Sequence, residues 1–302
     1  MTGLLFILLT SPVAADDAPL LVRARNFLVP PSTGPVTHVV VKNTTDAPYA
    51  STLSVQFADG WEVTPSQHEI ALQPGETKML PFTIKGATDL AANAYPIAIT
   101  IDDAPPIAQT VTCASAPYFQ PKIDGKLNEW DDAIPMALSG ATLRTYWNKR
   151  EFCLAVEVEE TELTDDDAVQ FALAAAASDH RYEFLVTGQG KGATCSLLSG
   201  PAPQPAEGAQ VAVKHQAGVT RHEIAIPFAL MGDIRPTPGR EICFSLLIHD
   251  PDGTGLRDLG DIMNLWPEHR SADAWADWAS AVWPETPPWT SRIEFGLCSS
   301  IH

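Results

Sequence analysis

Phe152-Cys153-Leu154-Ala155-Val156-Glu157-Val158 decides the fold class. Successive side chains on a strand point to opposite faces, so Phe152, Leu154, Val156 and Val158 share one face and Cys153, Ala155 and Glu157 the other. The theme repeats downstream in Ala168-Val169-Gln170-Phe171-Ala172-Leu173, Tyr182-Glu183-Phe184-Leu185-Val186, His222-Glu223-Ile224-Ala225-Ile226 and Ile242-Cys243-Phe244-Ser245-Leu246-Leu247-Ile248. Ala172 to Ala177 is alanine-rich, but it is short and ends a strand pattern, so strand is expected over helix. Gly200 to Gly208 is polar and Pro/Ala-rich and reads as loop.

The same grammar runs upstream. Val36-Thr37-His38-Val39-Val40-Val41 gives way to the polar turn Lys42 to Asp46, and Thr52 to Phe57 alternates before Ala58-Asp59-Gly60. Pro74-Gly75-Glu76-Thr77 leads into Met79 to Ile84, and Tyr95 to Ile101 closes the series. Several short strands separated by turn residues within residues 20–112 are the pattern of a β-sandwich. Asp102 to Pro106 and residues 113–121 bracket one last strand, and 113–121 reads as a stiff linker. Residues 122–302 then form a second, larger β domain. The expected fold class is therefore all-β, with two β-sandwich domains.

Composition supports this and excludes several functions. The 302 residues favour two domains. Their 19 Lys+Arg against 37 Asp+Glu leave a net charge of −18, which repels phosphate backbones and anionic lipid surfaces, so nucleic acid is not an expected partner. Hydrophobic residues make up 45%, enough for a packed core. No apolar run approaches the roughly 20 residues of a membrane span.

At the N-terminus, Gly3-Leu4-Leu5-Phe6-Ile7-Leu8-Leu9 followed by Val13-Ala14-Ala15 resembles an export signal spanning residues 1–15, although no Lys or Arg precedes the apolar run. A secreted or periplasmic protein is expected. The five cysteines, Cys113, Cys153, Cys195, Cys243 and Cys298, include no C-x-x-C pair, which disfavours structural zinc. In an oxidising compartment they allow two disulfides and one thiol; Cys113 with Cys298, which flank the second domain, is one expected pair.

Two resemblances sharpen the picture. Residues 20–112 resemble the immunoglobulin-like accessory domains found beside bacterial glycoside hydrolases, through Asn43, Gly60-Trp61-Glu62-Val63-Thr64-Pro65, Leu72 to Thr77 and Tyr95-Pro96-Ile97. That likeness implies a fold, with Trp61 a core or sheet-edge residue. Residues 122–302 resemble the family 9 carbohydrate-binding modules. The opening motif is Ile123-Asp124-Gly125-Lys126-Leu127-Asn128-Glu129-Trp130. Trp147-Asn148 stands before the strand at Phe152, and Asp167-Ala168-Val169-Gln170-Phe171 follows. Glu223 to Phe228, Phe244 to Asp252 and Phe295-Gly296-Leu297 complete six ordered matches. The resemblance implies a non-catalytic double-sheet sandwich, often stabilised by calcium, that holds a polysaccharide or oligosaccharide.

A pyranose packs its C–H faces on indole and needs amides, carboxylates or guanidinium for its hydroxyls. By the resemblance, one clamping tryptophan falls at Trp289, whereas Thr164 stands where the other is expected. Gln170 replaces the strand's Glu, Leu185 falls where an Arg is used and Leu247 where an amide is used. Trp266, Trp275, Trp278 and Trp283 crowd the Pro-rich stretch before Trp289. The expected carbohydrate-binding set is Trp289, Trp266, Trp278, Gln170, Asp250 and Arg257. Trp130 and Trp147 belong to fold-defining motifs and are expected in the core.

Asp250-Pro251-Asp252-Gly253-Thr254-Gly255, with Asp258 close behind, offers hard oxygens of the kind calcium takes, so Asp250, Asp252 and Asp258 are candidate ligands; Asp165-Asp166-Asp167 is a second acidic run. No G-x-S-x-G, H-E-x-x-H or phosphate loop occurs, no carboxylate pair is marked for glycoside hydrolysis, and Met231, Met263, His222 and His249 sit in no haem-ligand pattern, so no enzyme activity is expected. The alternatives are a structural or protein-interaction module of the same fold whose sugar site is lost, and a component of a glycan-degrading system whose activity lies on another chain.

Overall fold

The computed structural model describes residues 19–138, 140–175, 182–198, 203–237, 241–250, 257–258 and 296–299. Residues 1–15, read above as an export signal, lie outside the described residues. Strands and short 3-10 turns account for every regular element described. No described helix is long and apolar enough to cross a membrane.

The N-terminal domain holds eight strands: β1 (Leu20–Ala24), β2 (Val36–Asn43), β3 (Tyr49–Gln56), β4 (Glu62–Thr64), β5 (Gln67–Leu72), β6 (Thr77–Gly86), β7 (Tyr95–Ile101) and β8 (Ile107–Val111). They form two antiparallel sheets, ordered β1-β2-β6-β4 and β5-β3-β7-β8. Alternation does the sorting: Leu53 and Val55 on β3, Leu80, Phe82 and Ile84 on β6, and Ile97 and Ile99 on β7 turn into one shared core. Asn43 closes one end of it, its buried amide donating to the carbonyl oxygens of Ala47 and Gln73 at 2.8 and 3.1 Å. Trp61 packs at the edge of this core, stacked on Phe57 at 5.9 Å with an 11° interplanar angle.

The C-terminal domain is a second sandwich. One sheet runs β10 (Met136–Leu138), β11 (Ala141–Trp147), β12 (Glu151–Glu159), β18 (Val219–Pro227) and β17 (Gln210–Gln216). The other runs β16 (Gln204–Pro205), β15 (Thr194–Leu197), β14 (Tyr182–Thr187), β13 (Ala168–Ala175), β19 (Glu241–His249), β21 (Gly296–Ser299) and β9 (Ser115–Ala116), with β20 (Arg257–Asp258) paired to β19. Pairing is antiparallel except between β9 and β21. Phe152, Leu154, Val156 and Val158 face Val169, Phe171, Phe244 and Leu246 across the core, as the quoted heptad predicts. The alanine-rich stretch continues β13 through Ala175.

The stretch read as a linker is built into both domains. Cys113 to Pro117 are buried. Ala114 N–H donates to Phe27 O at 2.7 Å on one side, and Trp147 N–H donates to Pro117 O at 3.0 Å on the other. Asn93 strengthens the joint, its amide donating to the carbonyl oxygens of Cys113 and Pro135 at 2.9 and 2.7 Å.

The disulfide expectation is corrected. Cys113, Cys153 and Cys195 are buried thiols, so two bridges do not form and Cys113 is not joined to Cys298. Each belongs to a different apolar cluster, which keeps them apart: the N-terminal core, the layer beneath Trp130 and the C-terminal core. Burial pushes the Cys195 thiol up to about 12 and raises that of Cys153 as well, which holds both in the unreactive protonated form.

Candidate functional site

Strand alternation gives the β14-β13-β19 sheet a second face, turned away from the core. Val169, Phe171, Phe184, Val186, Leu246 and Ile248 fill the core side. Gln170, Glu183, Leu185, Leu247 and His249 therefore share the other. The register sets Gln170 directly between Leu185 and Leu247. Those two positions are where the family 9 resemblance expects an arginine and an amide.

One pleat to either side, polar groups return, Glu183 in register with Ala172 and His249 with Ala168. Gln170 Nε2 donates to Glu183 Oε1 at 2.5 Å, and His249 Nε2 lies 3.0 Å from Gln170 Oε1. An amide oxygen only accepts, so His249 is the donor and its proton sits on Nε2. The result is a chain of hydrogen bonds across three strands. Burial pushes the Glu183 carboxyl up to about 9 and the His249 imidazole down to about 3, because neither charge is solvated there. At neutral pH the row is uncharged, and Glu183 is a carboxylic acid with an O–H to donate.

An acidic cluster adjoins this row. Glu160 follows β12, Asp167 precedes β13 and Asp250 follows β19, and one carboxylate oxygen from each lies within 4.8 Å of the others. Asp167 and Asp250 are buried. Ala168 and His249, the chain neighbours of Asp167 and Asp250, are register partners, so pairing of β13 with β19 brings the two acids together. Thr164 is drawn in as well: its N–H and hydroxyl donate to Asp167 Oδ2 at 2.5 and 3.1 Å. Where the resemblance expects an indole, this chain has a small residue that fixes a turn.

The expected residues thus separate. Gln170 is fully buried, with both ends of its amide engaged by Glu183 and His249. Asp250 belongs to the acidic cluster. Arg257 and Asp258 lie on β20, opposite Ile248 and Leu247 in register, and only their backbone is described. Trp289, Trp266, Trp278 and Asp252 lie outside the described residues. Glu160, Glu183 and His249 were missed as site residues. Glu183 and His249 carried a signal, since each is two residues from a position the resemblance marks and so shares its face. Glu160 carried none, because only the fold brings it to Asp167.

On the opposite sheet, Glu223 is also buried and raised by burial, while the N–H groups of Gly125 and Asp124 and the Trp130 indole pull the other way. Those three donors hold the opening segment against β18. Its carboxylate is occupied by the fold.

No protein-family model matches the sequence, and no curated protein matches it. Among solved structures, a family 9 carbohydrate binding module from Caldicellulosiruptor kristjanssonii in complex with cellotriose is similar at 15% identity, over 62% of this chain and 93% of that one, with a TM-score of 0.44. A structure of a family 9 module from the same organism in complex with glucose is similar at 14% identity, over 62% and 95%, also at 0.44.

Proposed function

We propose that this chain is an exported, non-catalytic carbohydrate-binding protein, accessory to polysaccharide degradation. It would grip a glycan with the C-terminal sandwich. The observation that carries the reading is the Glu183–Gln170–His249 row, which lies on the face where the sequence resemblance puts its sugar-facing positions. In this reading the row fixes the sheet face beneath the sugar, and Trp289, with Trp266 or Trp278, supplies the stacking plate. Strand order supports an immunoglobulin-like reading of the N-terminal domain: β1-β2-β6 and β3-β7-β8 follow the A-B-E and C-F-G triplets of that fold.

Calcium belongs to the same proposal. Three carboxylates converging at one edge of the sheet offer the hard oxygen donors it takes, and two of them, Asp167 and Asp250, are buried. Glu160, Asp167 and Asp250 would hold the ion. Bound there, it would offset two of the three carboxylate charges and pin the β12–β13 connection to the end of β19.

A second reading, a structural module that has lost its sugar site, is favoured by the complete burial of Gln170 and by Thr164 acting as a turn residue. Calorimetric titration of the full chain with a panel of mono- and oligosaccharides separates the two. Saturable binding abolished by Trp289→Ala supports the first reading, and silence across the panel supports the second. Turnover of chromogenic glycosides by the purified chain would overturn the non-catalytic assignment.

A further inference from the structure

The described clefts lie elsewhere, in the N-terminal sandwich. Two of them, about 510 Å³ and 310 Å³, share the segment Gln56 to Asp59. The larger is lined by residues of β7 and β8 and by the end of β3. Gln109 lines it, but the amide of that residue is committed to Ala24 N–H and Val22 O. The smaller is built differently. Val55, Phe57, Trp61 and Val63 line it from the buried side, and the exposed Gln56, Asp59 and Ser66 line its mouth.

Its shape follows from the turn at Asp59-Gly60-Trp61. Gly60 takes φ +83°, a backbone that side chains resist, and the space where its Cβ would stand is open. The turn brings Trp61 back onto Phe57 while leaving the indole half-exposed at the cleft. Core packing of Trp61 on Phe57, Phe27 and Tyr95 explains why the residue is aromatic. It does not explain an apolar-lined opening with an amide, a carboxylate and a hydroxyl at its mouth.

We propose that this cleft is a second saccharide-binding site, taking one ring of a neutral oligosaccharide. An apolar wall suits the C–H face of a pyranose, and its volume lies at the small end of ordinary ligand sites. The mouth selects among ligands. Gln56 and Ser66 each both donate and accept, and Asp59 accepts, which matches hydroxyl groups that do both. A cation would use only the acceptors. An anion would meet Asp59 and a chain of net charge −18.

The site shares its ligand chemistry with the proposed function but lies in the other domain, so the two fail separately. The test uses the full chain in ¹H–¹⁵N NMR titrations with cellohexaose, xylohexaose and mannohexaose, and with tetramethylammonium as a cation probe. The Trp61 indole N–H signal is assigned by its loss in Trp61→Phe. One hexasaccharide is expected to shift that signal saturably, with Kd raised about ten-fold in Gln56→Ala/Asp59→Ala and unchanged in Gln170→Ala. Both altered rim residues are exposed, so the double variant keeps its core. No shift with any hexasaccharide at millimolar concentration overturns the proposal. So does a shift produced by tetramethylammonium alone, or one weakened by Gln170→Ala and not by the rim variant.

Discussion

The indole N–H of Trp130 donates to Glu223 Oε1 at 2.8 Å, joining two of the sequence motifs that mark the C-terminal domain. Both residues are fully buried. The same carboxylate accepts from the N–H groups of Asp124 and Gly125 through its other oxygen. A single side chain on β18 thus folds the opening segment over the outer face of its sheet, where Trp130 stacks on Tyr146 at 5.0 Å above Cys153, Ala155 and Ala225.

Removing the acceptor should be costly. Glu223→Ala leaves the buried N–H groups of Trp130 and Gly125 and the part-buried N–H of Asp124 without their partner, and a loss of about 3 kcal/mol is expected. Trp130→Phe keeps most of the ring packing and removes one donor, so about 1–2 kcal/mol is expected. Urea unfolding of the two variants checks the order. Equal stability of Glu223→Ala and the native chain would show that the segment does not depend on this anchor.

Gly125 provides a second test of the same turn. It has φ +78°, and a Cβ there would stand 2.5 Å from Lys214 Cδ. That lysine donates to Asp124 O at 2.5 Å, so moving it aside breaks a contact of the turn itself. Gly125→Ala should cost about 1–2 kcal/mol from backbone conformation alone, plus the displaced lysine. Adding Lys214→Ala should recover the second part and not the first, which a double-mutant cycle in urea resolves.

How much of this was legible follows from how local each feature is. Strands were readable because alternation is a property of neighbouring residues, and the heptad at Phe152 sorts its side chains as read. Trp130 and Trp147 were placed in the core by their motifs and are buried there. Asp167 was visible as the first residue of the Asp167-Ala168-Val169-Gln170-Phe171 motif and as one acid in a run of three. The fold distinguishes it, burying Asp167 while leaving Asp166 exposed. Glu160 depends on a crossing between sheets that no spacing encodes. The thiols were misjudged because cysteine counting carries no information about which cluster each residue joins.

Calcium binding should be read in stability before it is read in function. If Glu160, Asp167 and Asp250 hold the ion, calcium at a hundred times its Kd should add about 2.7 kcal/mol. Melting curves in calcium and in EDTA measure this. Asp167→Asn and Asp250→Asn should each remove the calcium-dependent part. An identical melting temperature in calcium and EDTA would leave the carboxylates with a structural role alone.

Glu183 sets a dependence on pH whose sign is fixed by its burial. Its carboxyl is raised from an ordinary 4.5 to about 9, so between those values the folded chain holds a proton that the unfolded chain has released. Stability from this group is therefore greatest below about 4.5, falls by about 1.4 kcal/mol per pH unit above it, and is lost as pH passes 9. His222, buried between Val156 and Val213 and lowered to about 4 from 6.5, works in the opposite direction. There the unfolded chain binds the extra proton, so stability rises with pH up to about 6.5 and then levels off. The two oppose each other in the acid range, whereas above 6.5 Glu183 acts without that opposition. Unfolding free energies measured at pH 7, 7.5 and 8, below the range in which the unfolded thiols of Cys153 and Cys195 ionise, should decline in the native chain and stay nearly flat in Glu183→Gln, which keeps the shape and cannot ionise. A parallel decline in both would mean that Glu183 is already ionised at neutral pH, and that the cross-strand row with Gln170 and His249 carries a charge.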